Sequence, residues 1–212
     1  AAEWRLRHVE VHTDEVHDDA YAANDGDRCY WCKSSLMDAL APVASDRRAT
    51  VVLGVNLDDL GDHRPGQRAA EERGAVFPLV ATGFTKADVR AHSRALGLRT
   101  WDKPAAACLA SRVPYGTPVT VAVLGRIERA EHLLHELGFA AVRVRHYADT
   151  ARLEVPIEQL DRVLADRARV VAAVRSAGYG YVTLDLEGLR SGNLNAALMA
   201  RSPRVPRGGR VG

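Results

Sequence analysis

Residues 49–55 read ATVVLGV, and residues 56–66, which follow directly, read NLDDLGDHRPG. A continuous apolar run bounded by turn residues is typical of a strand that is covered on both faces in a parallel sheet. The next segment is too polar, and too rich in Gly and Pro, to be anything but a loop. Carboxylates at the carboxyl end of a parallel strand lie where α/β proteins bind ligands and suit Mg²⁺. Asp58 and Asp59 are therefore candidate Mg²⁺ and nucleotide ligands, although the spacing alone favours a solvated acidic turn.

Predicted strands and helices alternate on both sides of this run. The sequence predicts a short strand at Arg7–His12, where Val9 and Val11 alternate with polar residues, and a brief strand or extended segment at Val76–Val80. It predicts helices at Cys29–Ala44 and Lys86–Leu96, the second capped by Thr85. Alternation of strands with helices indicates an α/β domain.

The pattern changes after Pro114. Long amphipathic helices are predicted at Val121–Leu137 and Ile157–Ala177. Between them, an alternation of apolar and charged residues predicts a hairpin with one wet face. The predicted strands are Ala141–Arg145, Ala151–Val155 and Tyr181–Leu186. Helix, two strands, helix and strand indicate a small α+β domain.

The domain boundary is placed where these two patterns meet. We assign residues 1–116 to the α/β domain and residues 117–200 to the α+β domain. Residues 201–212 interleave Arg with Pro and Gly and are expected to form a disordered basic tail.

Composition excludes several classes of protein. The apolar fraction is 47% and the charged fraction is 26%, as in ordinary globular proteins. The net charge of +2 argues neither for nor against an anionic partner, but the sequence shows no basic patch beyond its tail, so a nucleic-acid partner is not expected. No apolar run approaches the roughly 18 to 20 residues of a membrane span, and no signal peptide is visible. Three cysteines are too few for a disulfide framework, so we expect a cytoplasmic protein with free thiols.

Two of the cysteines form the Cys-x-x-Cys motif RCYWCK at residues 28–33. Cys29 and Cys32 stand at the start of a predicted helix, where the helix dipole favours thiolates. This spacing suits two ligands of one metal or cluster. Packing cysteines beside Tyr30 and Trp31 are the structural alternative.

The third cysteine lies in WDKPAAACLASR, residues 101–112. Lys103, Ser111 and Arg112 are expected to surround the Cys108 thiol with positive charge and a hydroxyl donor, which makes a thiol more nucleophilic. A core cysteine in an alanine-rich segment fits the composition equally well.

A group of arginines is predicted to lie on one face of the hairpin and the final strand. Guanidinium groups bind phosphate bidentately, so the group is a candidate anion site. A polar solvent face of a half-buried sheet is the alternative. The residues are Arg143, Arg145, Arg152 and Arg190.

Taken together, these stretches resemble the LarE family, ATP-dependent sulfur transferases of nickel-pincer nucleotide synthesis. Six motifs carry the resemblance in family order and cover most of the chain from His8 to Asn195. They are RCYWCK, GVNLDDLGDHRPG, GFTKADVRAHSRALGL, WDKPAAACLASRVPYG, RVRHYADTARLEV and YVTLDLEGLRSGNLN.

The resemblance implies a fold and a reaction. The implied fold is a PP-loop ATP-pyrophosphatase domain with a parallel sheet, followed by a small α+β domain. The implied reaction uses Mg-ATP to adenylate a carboxylate of a pyridinium dicarboxylate mononucleotide, and sulfur then displaces AMP to give a thiocarboxylate. A homo-oligomer is expected, with a small-molecule substrate.

The resemblance also implies residue roles. Cys108 is the sulfur-handling cysteine, and in members with this cysteine alone its own sulfur is surrendered, leaving dehydroalanine. Three cysteines instead resemble PP-loop sulfur transferases that hold a [4Fe-4S] cluster, which we favour here, with Cys29, Cys32 and Cys108 as ligands and an external sulfide source. Asp58 and Asp59 fall near the nucleotide and Mg²⁺. The substrate's phosphate and carboxylates are assigned to Ser111, Glu131, Arg143, Arg145 and Arg190.

One family motif does not occur in the sequence. The Ser-Gly-Gly-x-Asp-Ser loop that holds the ATP pyrophosphate belongs before His8, and the opening Ala1-Ala2-Glu3 has no Met, so we expect a fragment whose PP-loop domain is incomplete at its N-terminus. Two other interpretations stay open. One is a different PP-loop enzyme, such as a tRNA thiolase, and the other is an inactive, truncated protein that binds a nucleotide or a cluster.

Overall fold

The computed structural model describes residues 2–61, 64–103 and 107–190. The chain divides into two compact units, residues 1–106 and residues 107–212. The predicted tail at 201–212 lies outside the described residues. Helices and a small sheet together confirm a mixed α/β architecture.

The first unit is mainly helical. The predicted helix at Cys29–Ala44 is confirmed as α2 and runs from Arg28 to Asp46, and the helix capped by Thr85 is confirmed as α5. Thr85 accepts a hydrogen bond from Asp88 N while Asp88 accepts one from Thr85 N, so the first turn of α5 is closed reciprocally. The α-helices are α1 (Asp19–Ala22), α2 (Arg28–Asp46), α3 (Pro65–Glu72), α4 (Pro78–Ala81) and α5 (Lys86–Ala95).

Helices α2 and α3 pack closely against each other. A Cβ on Gly66 would lie 2.9 Å from the carbonyl oxygen of Cys29, so only glycine permits this approach. Met37, Ala70 and Ala75 form the buried cluster of this unit, with Val51, Leu53 and Phe77 packed against it.

The prediction of a strand covered on both faces at residues 49–55 is wrong. Within the described part of the first unit, the segment is extended but makes a single parallel bridge, between Val52 and Val76. Val51 and Leu53 face the helices, whereas Val52 is 58% exposed. No strand forms at Arg7–His12 either, and Val76–Val80 runs from this bridge into α4. A strand is stabilised by its neighbours, and one bridge is too little pairing to extend it.

The second unit contains the sheet. Helix α6 (Val121–Glu136) begins at Thr120, whose side chain accepts from Val123 N. The predicted hairpin is confirmed as β1 (Arg143–Tyr147) and β2 (Thr150–Glu154), which pair antiparallel, and β3 (Tyr181–Leu184) pairs parallel with β2. Strand β2 is therefore central.

The predicted helix at Ile157–Ala177 is interrupted. A 3₁₀ turn at Ile157–Gln159 leads into α7 (Leu160–Ala165), and α8 (Arg167–Ser176) follows. Asp166 separates the two helices with ψ of 12°, outside the helical range. Its carboxylate lies 3.8 Å from Arg162 and 4.0 Å from Arg169.

Register divides the sheet into two faces. Val144 pairs with Leu153 and His146 with Ala151, and all four are buried. Helices α6 and α8 pack on the sheet and supply Ile127, Leu134, Val170 and Val174 to the core.

The core face contains one polar pair. His146 Nδ1 lies 3.1 Å from the Tyr179 hydroxyl. Burial lowers the pKa of His146, and the charge of Arg126 lowers it further. Burial also raises the pKa of Tyr179 to about 12.

The opposite face is not the wet face that was predicted. Arg145 and Glu154 lie on it, and their side chains are only 3% and 0% exposed. The 3₁₀ turn at Leu109–Arg112 contacts β1 and covers Arg145, whose Nη1 donates to Ser111 O.

Every helix in the described ranges is too short or too polar to cross a bilayer.

Candidate functional site

Cys108 stands at the surface, immediately before the 3₁₀ turn Leu109–Arg112. Its thiol is exposed, but its carbonyl oxygen is held firmly. That oxygen accepts hydrogen bonds from Ser111 N at 3.0 Å, from Ser111 Oγ at 2.7 Å and from Arg112 Nη1 at 3.2 Å. The exposed thiol is thus carried on a fixed backbone, so the core-cysteine alternative does not hold.

Arg112 ties this turn to helix α6. Its Nε and Nη2 donate to the two carboxylate oxygens of Glu131 at 2.9 and 3.1 Å, and both side chains are about 90% buried. Its Nη1 also donates to Ala107 O at 2.9 Å. Arg112 therefore lies beside Cys108, as expected, but its charge is neutralised by Glu131.

Glu131 was assigned to the substrate, and its carboxylate is already engaged. Besides Arg112, it accepts from Val144 N at 2.9 Å. It therefore links the Cys108 turn to strand β1.

A second buried ion pair holds the turn from the other side. Arg145 donates to Glu154 at 2.8 Å and to Ser111 O at 2.7 Å. Arg152 donates to the other oxygen of Glu154 at 3.1 Å, and its Nε lies 3.5 Å from Asp185. Glu154 was not identified from the sequence, although the alternation RLE at 152–154 places it on the arginine face.

Arg143 differs from these paired arginines. Within the described residues its guanidinium donates to the Arg190 carbonyl at 3.1 Å, and no carboxylate pairs with it. Burial lowers the pKa of Arg143, the charges of Arg145 and Arg112 lower it further, and Glu154 and Glu131 act in the opposite direction. With Arg152 and Asp185 included, four guanidinium groups thus share one region with three carboxylates, which leaves an excess of positive charge suited to an anion.

Arg190 lies beyond β3, and its side chain is bonded to Glu187 at 2.5 Å. The register brings Arg143, Arg145, Arg152 and Glu154 to one face of the hairpin, as expected for the arginine group. Arg145 and Glu154 are buried, so this face is not simply solvated.

Asp58 and Asp59 follow the extended segment at 49–55, as predicted, and both have protein partners. Asp58 accepts from Lys86 N, the first residue of α5, at 2.5 Å. Asp59 closes a capping box with Asn56 and pairs with Arg64 at 2.9 Å. The carboxylates of Asp58 and Asp59 thus hold in place the loop that follows the extended segment.

Cys29 and Cys32 are the second and fifth residues of α2, three positions apart and hence on the same face. Cys29 is exposed, and Cys32 Sγ lies 3.8 Å from a carboxylate oxygen of Glu15. In the residues that the structure describes, no three His, Cys, Asp or Glu side chains are grouped closely enough to hold a metal ion. Since Cys108 belongs to the second unit and the other two to the first, the cluster stays a prediction.

Comparison with known proteins gives three relatives. An uncharacterized protein of Synechocystis is 46% identical over 201 residues, covering 93% of this chain and 75% of that protein. The pyridinium-3,5-bisthiocarboxylic acid mononucleotide synthase of Lactiplantibacillus plantarum is 39% identical over 186 residues, 87% of this chain and 67% of the synthase. An uncharacterized protein of Methanocaldococcus jannaschii is 26% identical over 198 residues, 90% of this chain and 77% of that protein. No family model matches the chain.

Proposed function

The chain belongs to the LarE family, and from this membership we propose that it is an ATP-dependent sulfur transferase acting on a pyridinium carboxylate mononucleotide. Its relative in Lactiplantibacillus plantarum is named as a synthase of the corresponding bisthiocarboxylic acid. The observation that carries the proposal is the exposed Cys108 thiol on a rigid turn that is bonded directly to the arginine face.

We assign the chemistry as acyl transfer to sulfur. Mg-ATP adenylates the substrate carboxylate and releases pyrophosphate, because AMP is a far better leaving group than oxide. A sulfur nucleophile then attacks the activated carbonyl carbon, and the carbon–oxygen bond to AMP breaks. With Cys108 as that nucleophile, the product is a thioester between Cys108 and the substrate.

The ATP half of the reaction is assigned to the PP-loop domain, residues 1–116. Asp58 and Asp59 are its candidate Mg²⁺ and nucleotide residues. Isothermal titration with Mg-ATP tests this assignment, because a chain that lacks the pyrophosphate loop should bind ATP poorly. A tRNA thiolase would bind tRNA as well as ATP.

The substrate's anionic groups are assigned to the arginine face. Arg143 is the best candidate, because its guanidinium is bonded only to a backbone carbonyl among the described residues and lies in a region of excess positive charge. Arg190 provides the neighbouring carbonyl and a second guanidinium. Arg145, Glu131 and Ser111 support the site, since each is engaged with protein groups.

The source of sulfur has two candidate routes. In the first, Cys108 surrenders its own sulfur and becomes dehydroalanine. In the second, Cys29, Cys32 and Cys108 hold a [4Fe-4S] cluster, and two observations fit it: the spacing of Cys29 and Cys32 on one helical turn, and the exposure of Cys29 and Cys108. Held by these three thiolates, such a cluster would supply the sulfur by accepting an external sulfide.

Anaerobic purification followed by iron and sulfide assays distinguishes the two routes. Stoichiometric iron and an unchanged Cys108 mass after turnover support the cluster. Absence of iron, with loss of one sulfur from Cys108 per turnover, supports the sacrificial route.

Arg143→Ala tests the substrate assignment. The KM for the pyridinium nucleotide should rise by about ten- to a hundredfold, the factor expected for a lost hydrogen bond to a charged group, while the KM for ATP stays constant. Arg169→Ala, at a 67% exposed side chain in the same unit, is the matched control. Equal effects of Arg143→Ala on both substrates would contradict the assignment.

A further inference from the structure

The carbonyl oxygen of Cys108 accepts more hydrogen bonds than a backbone carbonyl in a helix does. An α-helical carbonyl accepts one backbone amide. The Cys108 oxygen accepts a backbone amide, a hydroxyl and a guanidinium, at 3.0, 2.7 and 3.2 Å.

These donors form an ordered relay. Ser111 Oγ has one proton, which it donates to the Cys108 oxygen, and it accepts from Arg112 Nη1 at 3.1 Å. The two hydrogens of Arg112 Nη1 are shared among Ser111 Oγ, Ala107 O and Cys108 O. Negative charge that develops on the Cys108 oxygen is therefore stabilised by the Arg112 guanidinium directly and also through the Ser111 hydroxyl.

Arg112 is held in place for this role before any reaction occurs. Glu131 binds its other edge through two hydrogen bonds, and the pair is about 90% buried. Preorganised donors of this kind stabilise a charge that forms during a reaction without a cost of reorganisation.

A negative charge forms on this oxygen if Cys108 gives up its sulfur. The Cβ–Sγ bond breaks by elimination: a base removes the Cα proton of Cys108, and the electron pair delocalises onto the Cys108 carbonyl oxygen as an enolate. The pair then forms the Cα=Cβ bond as sulfur departs with the bonding electrons of Cβ–Sγ. The leaving sulfur is the thiocarboxylate, the residue left is dehydroalanine, and the proton goes to hydroxide from the solvent that reaches this exposed residue.

We propose that Ser111 and Arg112 form an oxyanion hole for the carbonyl of Cys108 itself, and so promote the loss of its Cα proton. The inference rests on the sacrificial route of the proposed function. It makes Ser111 and Arg112 catalytic residues, because both contact a reacting atom.

The elimination step is measurable without ATP or the nucleotide. A 1,4-dibromide that alkylates a thiol twice converts accessible cysteines into cyclic sulfonium groups, which then eliminate to dehydroalanine. Peptide mass spectrometry follows the first-order conversion at each cysteine separately, so the rate of alkylation does not enter the comparison. Cys29 is the internal control, because it is exposed like Cys108 but lies in a regular helix.

We expect the Cys108 sulfonium to eliminate at least about tenfold faster than that at Cys29, the factor of a charged hydrogen bond. Ser111→Ala and Arg112→Lys should each slow elimination at Cys108 by a similar factor and leave Cys29 unchanged. In guanidinium chloride the two cysteines should react at the same rate.

Three results would overturn the inference: equal rates at Cys108 and Cys29 in the folded protein, rates at Cys108 that neither substitution alters, or a difference that persists after denaturation. Ser111→Ala removes only a half-buried hydroxyl, so it serves if Arg112→Lys does not fold. Fast elimination at Cys108 without sulfur transfer to the nucleotide would refute the proposed function and leave the oxyanion hole standing.

Discussion

Glu154→Gln is expected to destabilise the second unit severely. Glu154 is fully buried, and its two carboxylate oxygens accept from two arginines, Arg145 at 2.8 Å and Arg152 at 3.1 Å. Glutamine has the same shape but only one acceptor oxygen, so its amide N–H would face one of the two guanidinium groups. Removing one partner of a buried ion pair costs about 3–5 kcal/mol, because the other charge is left buried without compensation.

The tryptophans allow the two units to be followed separately. Trp4, Trp31 and Trp101 all belong to the first unit, so tryptophan fluorescence during urea unfolding reports on that unit alone. Hydrogen exchange of peptides from residues 143–154 reports on the sheet of the second unit. The loss of about 3–5 kcal/mol should appear in the free energy of exchange of these peptides.

Two further variants make the test specific. Glu136→Gln removes a carboxylate that is 61% exposed on α6, and should change the free energy by less than about 0.5 kcal/mol. Replacing Arg145 with Met and Glu154 with Leu together removes both charges and should restore most of the loss. A loss below about 1 kcal/mol for Glu154→Gln, or a double variant that is less stable than the single one, would refute the argument.

Three other predictions follow from local geometry. Gly66→Ala should destabilise the first unit by about 1–3 kcal/mol in urea unfolding, because the added Cβ would lie 2.9 Å from the Cys29 carbonyl oxygen. Gly54→Ala is the control and should be close to neutral, since nothing lies within 4 Å of its Cβ. Equal effects of the two substitutions would contradict the close packing of α2 and α3. Thr85→Ala should cost about 1 kcal/mol by removing the cap of α5, and Thr85→Ser should retain most of it. Because the pKa of His146 is lowered in the folded state, the unfolded chain binds its proton more readily. The contribution of His146 to stability is therefore complete above pH about 6.5 and is lost as the pH falls from there through the lowered pKa. His146→Gln should therefore flatten the fall in unfolding free energy below that pH.

Features that depend on neighbouring residues could be predicted from the sequence. Helix α5 follows from Thr85 and the apolar spacing after it, and the hairpin follows from the alternation in residues 143–154. Both signals lie within a few residues of the structure that they determine. The break at Asp166 shows the limit of this reasoning, since an aspartate within a helical pattern does not by itself indicate an interruption.

Features that depend on distant residues could not be predicted. An apolar run at 49–55 becomes a strand only if other strands pair with it, and its sequence does not contain that information. Alternation places Arg145 and Glu154 on one face, but the turn that covers this face comes from residues 109–112, more than 30 positions earlier. The roles of Cys108, Arg143 and Arg190 came from the resemblance to a family and not from their spacing.

The hydrogen bond between Val144 N and Glu131 affects whether two protein molecules can associate through the edge of the sheet. Strand β1 lies at an edge of the described sheet, and an edge strand with open amides is a template on which a strand of another molecule can pair. The Glu131 carboxylate occupies one of these amides and places a charged group where an incoming backbone would have to fit. Substitution of Glu131 should therefore leave the edge of β1 open to pairing with another molecule. Such a variant is expected to aggregate during expression, whether or not its catalytic activity is also lowered. Solubility and sedimentation of such a variant need to be measured before its activity is interpreted.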